Sequence, residues 1–189
     1  MNSPKKVAKI LIMGLDNSGK TSILLSLQKE VNLLSYYSLK PTPGINIVTI
    51  EKQDTRFHIW EFGGQEQFRE DYLQNLGKYI QKANKFIYVI DVQDIDRYEI
   101  ALQYFAALLK LIKNEDRKTI QLSIFLHKFD PGLEENKKFS FKTISQKLIN
   151  KISDIIPSSV SYNIFKTTIY TVFEKTLLES VSDEFFSLL

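Results

Sequence analysis

Gly14, Gly19, Lys20 and Thr21 stand in the stretch GLDNSGKTS, residues 14–22, and complete the spacing G-x-x-x-x-G-K-[ST]. The chemistry this spacing serves is phosphate binding. The glycines let the backbone close around phosphate oxygens, the Lys20 ammonium reaches the β- and γ-phosphates of a nucleoside triphosphate, and the Thr21 hydroxyl ligates Mg²⁺. Asp16, Asn17, Ser18, Gly19 and Ser22 complete the loop as expected nucleotide contacts. The apolar run VAKILIM in front reads as a strand and ILLSLQ behind as a helix, so backbone N–H groups and a helix N-terminus converge on the anion. The loop by itself does not separate ATP from GTP, or a kinase from a switch.

Three further constellations narrow the choice. Thr42, in PTPGIN, is a hydroxyl on a loop that can close onto Mg²⁺ and a γ-phosphate; the backbone N–H of Gly64, in WEFGGQEQF at 60–68, can meet that phosphate from the other side. Both contacts vanish with the phosphate, so triphosphate would order two loops and hydrolysis release them, as in a switch rather than a kinase lid. Gln65 stands where a side-chain amide orients an attacking water. The third constellation is HKFD, 127–130, at the end of the apolar run TIQLSIFL. Open parallel sheets bind ligands at the carboxyl ends of their strands, which puts Lys128 and Asp130 on the edge that carries the phosphate loop. A carboxylate at Asp130 accepts both N–H groups of guanine's N1/N2 edge, a pair adenine lacks, and the Lys128 stem can lie over the base. Thr167 and Thr168, in KTTIY at 166–170, end a further strand; they are a candidate base contact, with a plain strand-to-helix turn as the alternative. His58, on RFHIWEF, is assigned no role.

These residues need a scaffold that lines up strand ends. Strand-like and helix-like blocks alternate along the chain: VAKILIM then TSILLSLQKE, INIVTIEK and RFHIWEF across a QD turn, KFIYVID then a long amphipathic block, TIQLSIFLH, SFKTISQKLINKI, VSYNIFKT, and a final helix. Such alternation predicts an α/β fold with a mostly parallel sheet. Ala101, Tyr104, Phe105, Leu108 and Ile112 form one apolar stripe at helical spacing, with Lys110 and Lys113 off it, as on a helix packed against a sheet. Phe173, Leu177, Val181, Phe185 and Leu188 repeat the pattern in the final helix. The irregular stretch 31–44 is the one long loop, a place where function concentrates.

At 189 residues, 43% of them apolar, the chain reads as one domain, 1–189, able to bury a full core. The lack of cysteine excludes disulfides, thiolate zinc sites and cysteine nucleophiles, and fits a reducing, cytoplasmic setting. No apolar stretch approaches the roughly 18 to 20 residues that span a bilayer, and MNSPKK leads into a strand rather than a signal segment. A formal charge of +3, with Lys and Glu interspersed as in EENKK and KNEDRK, describes a solvated surface and argues against nucleic acid as a partner.

Together these motifs make the chain resemble a small GTPase of the Ras superfamily. GLDNSGKTS, PTPGIN and WEFGGQEQF are similar to the Arf and Arf-like branch; HKFD, IYVIDVQD and FKTTIYTVFEKTL resemble the Rag GTPases, with Thr167-Thr168-Ile169 where those have T-S-I. The resemblance runs from Lys6 to about Leu188. It implies a P-loop NTPase G-domain with a six-stranded, mostly parallel sheet and helices on both faces. Its implied ligands are GTP/GDP and Mg²⁺, and its implied partners an exchange factor, a GTPase-activating protein and an effector, with a GTP-dependent dimer as a further arrangement. Two residues depart from the pattern. Glu61 stands where the family has an Asp that contacts Mg²⁺ through water, so its extra methylene shifts or crowds that metal contact. His127 replaces an Asn whose amide ties the guanine site to the phosphate loop, which leaves guanine preference mainly to Asp130. Asn2 occupies the place of the myristoylated glycine of Arf proteins, so no intrinsic lipid anchor is expected and membrane association would pass through partners. The C-terminal dimerisation domain of Rag proteins is not expected in a chain that ends at Leu189.

The resulting expectation is a GTP-binding switch that hydrolyses GTP slowly, with Lys20 and the loop amides on the phosphates, Thr21 and Thr42 on Mg²⁺, and Gln65 positioning water. VNLLSYYSLKPT contains no arginine, so a partner's arginine is expected to accelerate hydrolysis, as such residues do by about 10³ to 10⁵ in related reactions. The alternative is a nucleotide-bound interaction module with little or no hydrolysis, Glu61 and His127 being its signs of decay. A P-loop ATPase or small-molecule kinase would need an adenine pocket and a lid, which HKFD and the paired loops disfavour. Among Tyr36, Tyr37, Phe62, Phe68, Tyr72 and Leu73, some side chains should face an effector and some should be core.

Overall fold

Strand β1 (Lys6–Met13) runs through the middle of the sheet, which is why its second half is apolar on both faces: Ile10, Leu11, Ile12 and Met13 are wholly buried. The computed structural model describes residues 5–28, 34–112 and 119–169. On one side β1 pairs in parallel with β3 (Thr55–Phe62), Ile12 opposite Glu61; on the other it pairs in parallel with β4 (Lys85–Asp91), Met13 opposite Tyr88. Strand β2 (Ile45–Lys52) turns back at Gln53 and Asp54 to pair antiparallel with β3, with Asn46 directly opposite Glu61. Beyond β4 lie β5 (Gln121–His127) and β6 (Tyr162–Lys166), both parallel, so the six strands run in the order β2-β3-β1-β4-β5-β6. The sheet is the mostly parallel α/β arrangement expected from the alternating blocks.

Helices cover both faces, each through an apolar stripe. Helix α1 (Lys20–Ser26) sets Ile23 and Leu24 on one face, against Ile10, Ile12, Phe57, Ile59 and Val89. A short helix, α2 (Leu34–Tyr37), interrupts the long loop that follows. On the opposite face α3 (Glu66–Tyr79) and α4 (Tyr98–Leu111) pack against Leu11, Met13, Phe86, Tyr88 and Ile90. The expected stripe of α4 is there: Ala101, Tyr104, Phe105 and Leu108 are buried, as is Ile112 just after it, while Lys110 is exposed. The block SFKTISQKLINKI is helical in three pieces, Phe141–Ile144, a π turn at Ser145–Ile149, and Asn150–Ile155, and delivers Ile144, Leu148 and Ile152 to the same core at four-residue steps.

Phe62 and Tyr72 are core, not effector-facing. Phe62 closes β3 and meets Tyr72 edge-on with ring centroids 5.1 Å apart, and each is at most 2% exposed. Tyr36, Phe68 and Leu73 are half-buried, and Tyr37 alone of the six is open, at 89%. Residues 31–33 of the long loop, Lys113, Tyr170 and the final helix read over Phe173, Leu177, Val181, Phe185 and Leu188 lie outside the described residues.

Candidate functional site

Parallel pairing brings the carboxyl ends of β1, β3, β4, β5 and β6 to one edge, and every expected site residue lies on a segment leaving that edge or folded onto it. A pocket of about 240 Å³ opens over the loop after β1, lined by Asp16, Asn17 and residues 19–22 together with Thr42, Glu61, Gly64 and Gln65. Ser18 lies beneath it, 2% exposed, with its hydroxyl 3.4 Å from Lys20 Nζ.

Lys20 begins α1 and is folded back under its own loop. Its Nζ donates to the carbonyls of Gly14 at 3.0 Å and Leu15 at 2.7 Å. Burial of the ammonium lowers its pKa to about 8, with the charges of Glu61 and Asp16 opposing the shift. Asp16 is gripped from outside the loop by Arg97, whose guanidinium also donates to Asp94 at 3.4 Å from the β4–α4 connection.

Opposite the loop, three oxygens from three segments meet. Thr42 Oγ1 is 3.2 Å from Thr21 Oγ1 and donates to Glu61 Oε1 at 3.1 Å; the Thr21 hydroxyl donates to the same Oε1. Asn46, facing Glu61 across the β2–β3 hairpin, holds the other carboxylate oxygen at 3.3 Å. One carboxylate with two hydroxyls beside a phosphate loop is an all-oxygen donor set of the kind Mg²⁺ accepts together with nucleotide phosphates, so the residues fit that ion.

The segment after β3 is folded down onto the loop. A Cβ on Gly64 would stand 2.0 Å from the Asp16 backbone nitrogen, so only glycine permits this approach. Gly63 N–H donates to Gly44 O at 2.8 Å, and Tyr72 Oη donates to the same carbonyl at 2.8 Å, tying the loop before β2 to the segment after β3. Gln65 stands at the N-cap position of α3 without capping it through its side chain, whose Oε1 is buried without a hydrogen-bond partner.

A second cluster forms at the ends of β5 and β6. His127 is 1% exposed and shares a hydrogen bond between Nδ1 and Thr167 Oγ1 at 2.9 Å; burial drives its pKa down to about 4. Lys128 adopts a left-handed backbone, φ 59°, and its ammonium pairs with Asp91 Oδ2 at 2.6 Å. Asp130 receives Thr168 Oγ1 on Oδ1 at 2.5 Å and Gln93 Nε2 on Oδ2 at 2.8 Å. Thr167 therefore positions His127, whereas Thr168 reaches Asp130 itself. His58 bonds Thr49 Oγ1 at 3.0 Å on the hairpin, away from both clusters.

Four residues at these clusters were not singled out from the sequence as site residues: Asn46, Asp91, Gln93 and Arg97. The acidic end of IYVIDVQD was the available signal for Asp91, and the cross-strand register for Asn46.

A family model described as the ADP-ribosylation factor family (Arf) matches residues 1–179. The chain is 37% identical over 128 residues to ADP-ribosylation factor 1 of Brassica rapa subsp. pekinensis, a match covering 67% of this chain and 64% of that protein. It is 35% identical over 122 residues to ADP-ribosylation factor-like protein 5A of Rattus norvegicus, covering 65% of this chain and 62% of that protein. Both matches thus span somewhat less than two thirds of the relatives' own length. Among solved structures, the Arl6 (BBS3) small GTPase of Trypanosoma brucei with bound nucleotide analogue GppNp aligns with TM-score 0.65 and 21% identity, covering 95% of this chain and 99% of that chain, a likeness of fold.

Proposed function

The chain belongs to the ADP-ribosylation factor family, and from that premise we propose that it is a guanine-nucleotide switch that binds GTP and GDP with Mg²⁺, hydrolyses GTP slowly, and signals through the loops carrying Thr42 and Gly64. The observation that carries this reading is the meeting of Thr21, Thr42 and Glu61, from α1, the loop before β2 and the end of β3, at one point beside the buried Lys20. Lys20 and the loop amides would hold the phosphates; Thr21, Thr42 and Glu61 would hold Mg²⁺, which when bound neutralises charge on the β- and γ-phosphate oxygens. Gln65 offers a buried, unpartnered carbonyl oxygen at the pocket wall, the acceptor a nucleophilic water needs. Asp130, set between Gln93 and Thr168, would be the group for the N1/N2 edge of guanine, and His127, hydrogen-bonded to Thr167, would give this end of the site a Rag-like character.

The loop at 34–44 supplies no arginine, so hydrolysis would depend on one from a GTPase-activating protein, while an exchange factor and an effector complete the cycle. Among the described residues no helix is long and apolar enough to cross a membrane. A cytoplasmic site of action and a GTP-dependent dimer belong to the proposed reading. Denaturing the purified protein and identifying the released nucleotide, followed by titration of GDP, GTP and ATP with and without Mg²⁺, tests it. Guanine nucleotide with ATP failing to compete is the expected result; a site that takes ATP equally well overturns it. Single-turnover phosphate release then separates the switch from an interaction module that does not hydrolyse.

A further inference from the structure

The carboxylate of Glu61 is placed differently from one that would work at a distance. It is wholly buried, its Oε2 is held by Asn46, and its Oε1 is left facing the two hydroxyls of Thr21 and Thr42. The three oxygens form a triangle in which Thr42 Oγ1 is 3.2 Å from Thr21 Oγ1 and 3.1 Å from Glu61 Oε1. Oxygens at adjacent corners of a Mg²⁺ octahedron, each about 2.0 to 2.1 Å from the metal, are about 2.9 Å apart. Two edges of the triangle therefore match an octahedral face to within a few tenths of an ångström, while along the third the Thr21 hydroxyl is hydrogen-bonded to the carboxylate and the pair would part to admit the ion.

A carboxylate acting through a bound water has to stand back from the metal by the width of that water. An aspartate on the same backbone is one methylene shorter, which is the difference between reaching a bound water and reaching the metal. The second oxygen accepts the Asn46 amide on the strand side, so Oε1 is the oxygen presented to the two hydroxyls. We infer that Glu61 is a direct, monodentate ligand of the nucleotide-associated divalent cation, taking a corner of the coordination shell that a water would otherwise fill, and that Asn46 is the residue that positions it. This rests on the reading of the pocket as a Mg²⁺–nucleotide site. Thr21, Thr42, Glu61 and two phosphate oxygens then account for five of six positions, and one water completes the shell.

Counting metal-bound water tests this without recourse to turnover. The protein is loaded with Mn²⁺ and the non-hydrolysable analogue GppNp, and the broadening of the Mn²⁺ electron paramagnetic resonance lines in ¹⁷O-enriched water gives the number of water ligands. One water in the unmodified chain, rising to two in Glu61→Asp, is the expected result. Two waters in the unmodified chain mean that the carboxylate only caps the shell through water, which overturns the inference and leaves the switch reading intact. Failure of the protein to retain Mn²⁺ with GppNp overturns the switch reading and the inference with it. Where Glu61→Asp does not load, the count in the unmodified chain decides alone. Asn46→Ala, which frees the carboxylate to turn, is expected to weaken Mn²⁺ retention about tenfold, the lower end of the effect of removing an outer-shell partner; unchanged retention overturns its positioning role.

Discussion

The imidazole of His127 lies flush against the backbone of Gly19, so close that a Cβ on Gly19 would stand 2.3 Å from His127 Cδ2 and 2.6 Å from Nε2. The ring thus joins the end of β5 to the start of α1 by packing, in the place where the sequence led us to expect a missing amide tie. It does so as a neutral group, since burial lowers its pKa to about 4. Between the ordinary histidine value of about 6.5 and that value, the unfolded chain takes up a proton that the folded chain refuses. Stability is therefore full above about pH 6.5 and falls as pH drops towards 4, by on the order of 3 kcal/mol in total from this residue. Urea unfolding midpoints at pH 7.5 and 5 check the trend, and His127→Gln should flatten it. An equal pH dependence in that variant would assign the acid sensitivity to other groups.

Gly64 makes the corresponding contact from the other side of the loop. An alanine there would place its Cβ 2.0 Å from the Asp16 nitrogen and 2.1 Å from the Leu15 carbonyl carbon, both backbone atoms that cannot swing away. Gly64→Ala must therefore lift the segment after β3 off the loop. The cost of such overpacking, typically about 1 to 3 kcal/mol, should appear as a loss of GTP-analogue affinity of roughly tenfold or more with GDP affinity little changed. Calorimetric titration of both nucleotides distinguishes this from general unfolding, which would lower both alike.

The parts of the site that could be read in the sequence are those fixed by local spacing. Lys20, Thr21, Thr42, Glu61, Gly64 and Gln65 follow motifs a few residues long, and the structure gathers them around one pocket. Asn46 could not be found that way, because its contact depends on which residue of β2 faces Glu61 across the hairpin. Arg97 reaches Asp16 only because the β4–α4 connection passes beside the loop. Phe62 and Tyr72 were indistinguishable from exposed aromatics until the end of β3 was seen to tuck under α3, where their rings meet. The mostly parallel sheet was legible from alternating blocks, and the antiparallel β2 from the two-residue turn at Gln53 and Asp54.

Gln65→Leu keeps the size of the side chain and removes its buried, unpartnered Oε1. The variant should bind GTP within about twofold of the unmodified protein and hydrolyse it about a hundredfold or more slowly, the lower end of what positioned groups contribute. Single-turnover phosphate release against a nucleotide-binding control measures both. Loss of binding would make Gln65 a structural residue of the segment after β3.

The pair of Asp16 and Arg97 is partly exposed, with side chains 40% and 30% accessible, so its contribution to folding should stay below about 1 kcal/mol. Its effect on ligand should be larger. Without Arg97, the Asp16 carboxylate stands uncompensated at the rim of the phosphate site and repels the nucleotide. Arg97→Ala is expected to speed release of a fluorescent GDP about threefold to tenfold at low salt and less at high salt, where such repulsion is screened. Adding Asp16→Asn should restore slow release; a double variant as fast as Arg97→Ala would mean that the guanidinium acts on the loop's shape and not its charge.

Asp130 is held from both sides, Thr168 on Oδ1 at 2.5 Å and Gln93 on Oδ2 at 2.8 Å, and Gln93 also donates to Lys128 O at 2.8 Å. The Gln93 amide thus fixes the carboxylate relative to the backbone of its own turn, and each oxygen keeps a lone pair for an incoming N–H. Removing one such hydrogen bond is worth about 1 kcal/mol, or roughly fivefold in affinity. Gln93→Ala should therefore weaken GDP binding by about that factor through loss of orientation. Gln93→Glu should weaken it further, because a second carboxylate then faces Asp130 and raises the proton affinity of the pair. The two cases separate by pH: the defect of the glutamate variant should ease as pH falls from 8 to 6 and the pair takes up a proton, whereas that of the alanine variant should not move. GDP titrations at both pH values give the comparison, and tighter binding in Gln93→Ala would show instead that the amide competes with the base for Asp130.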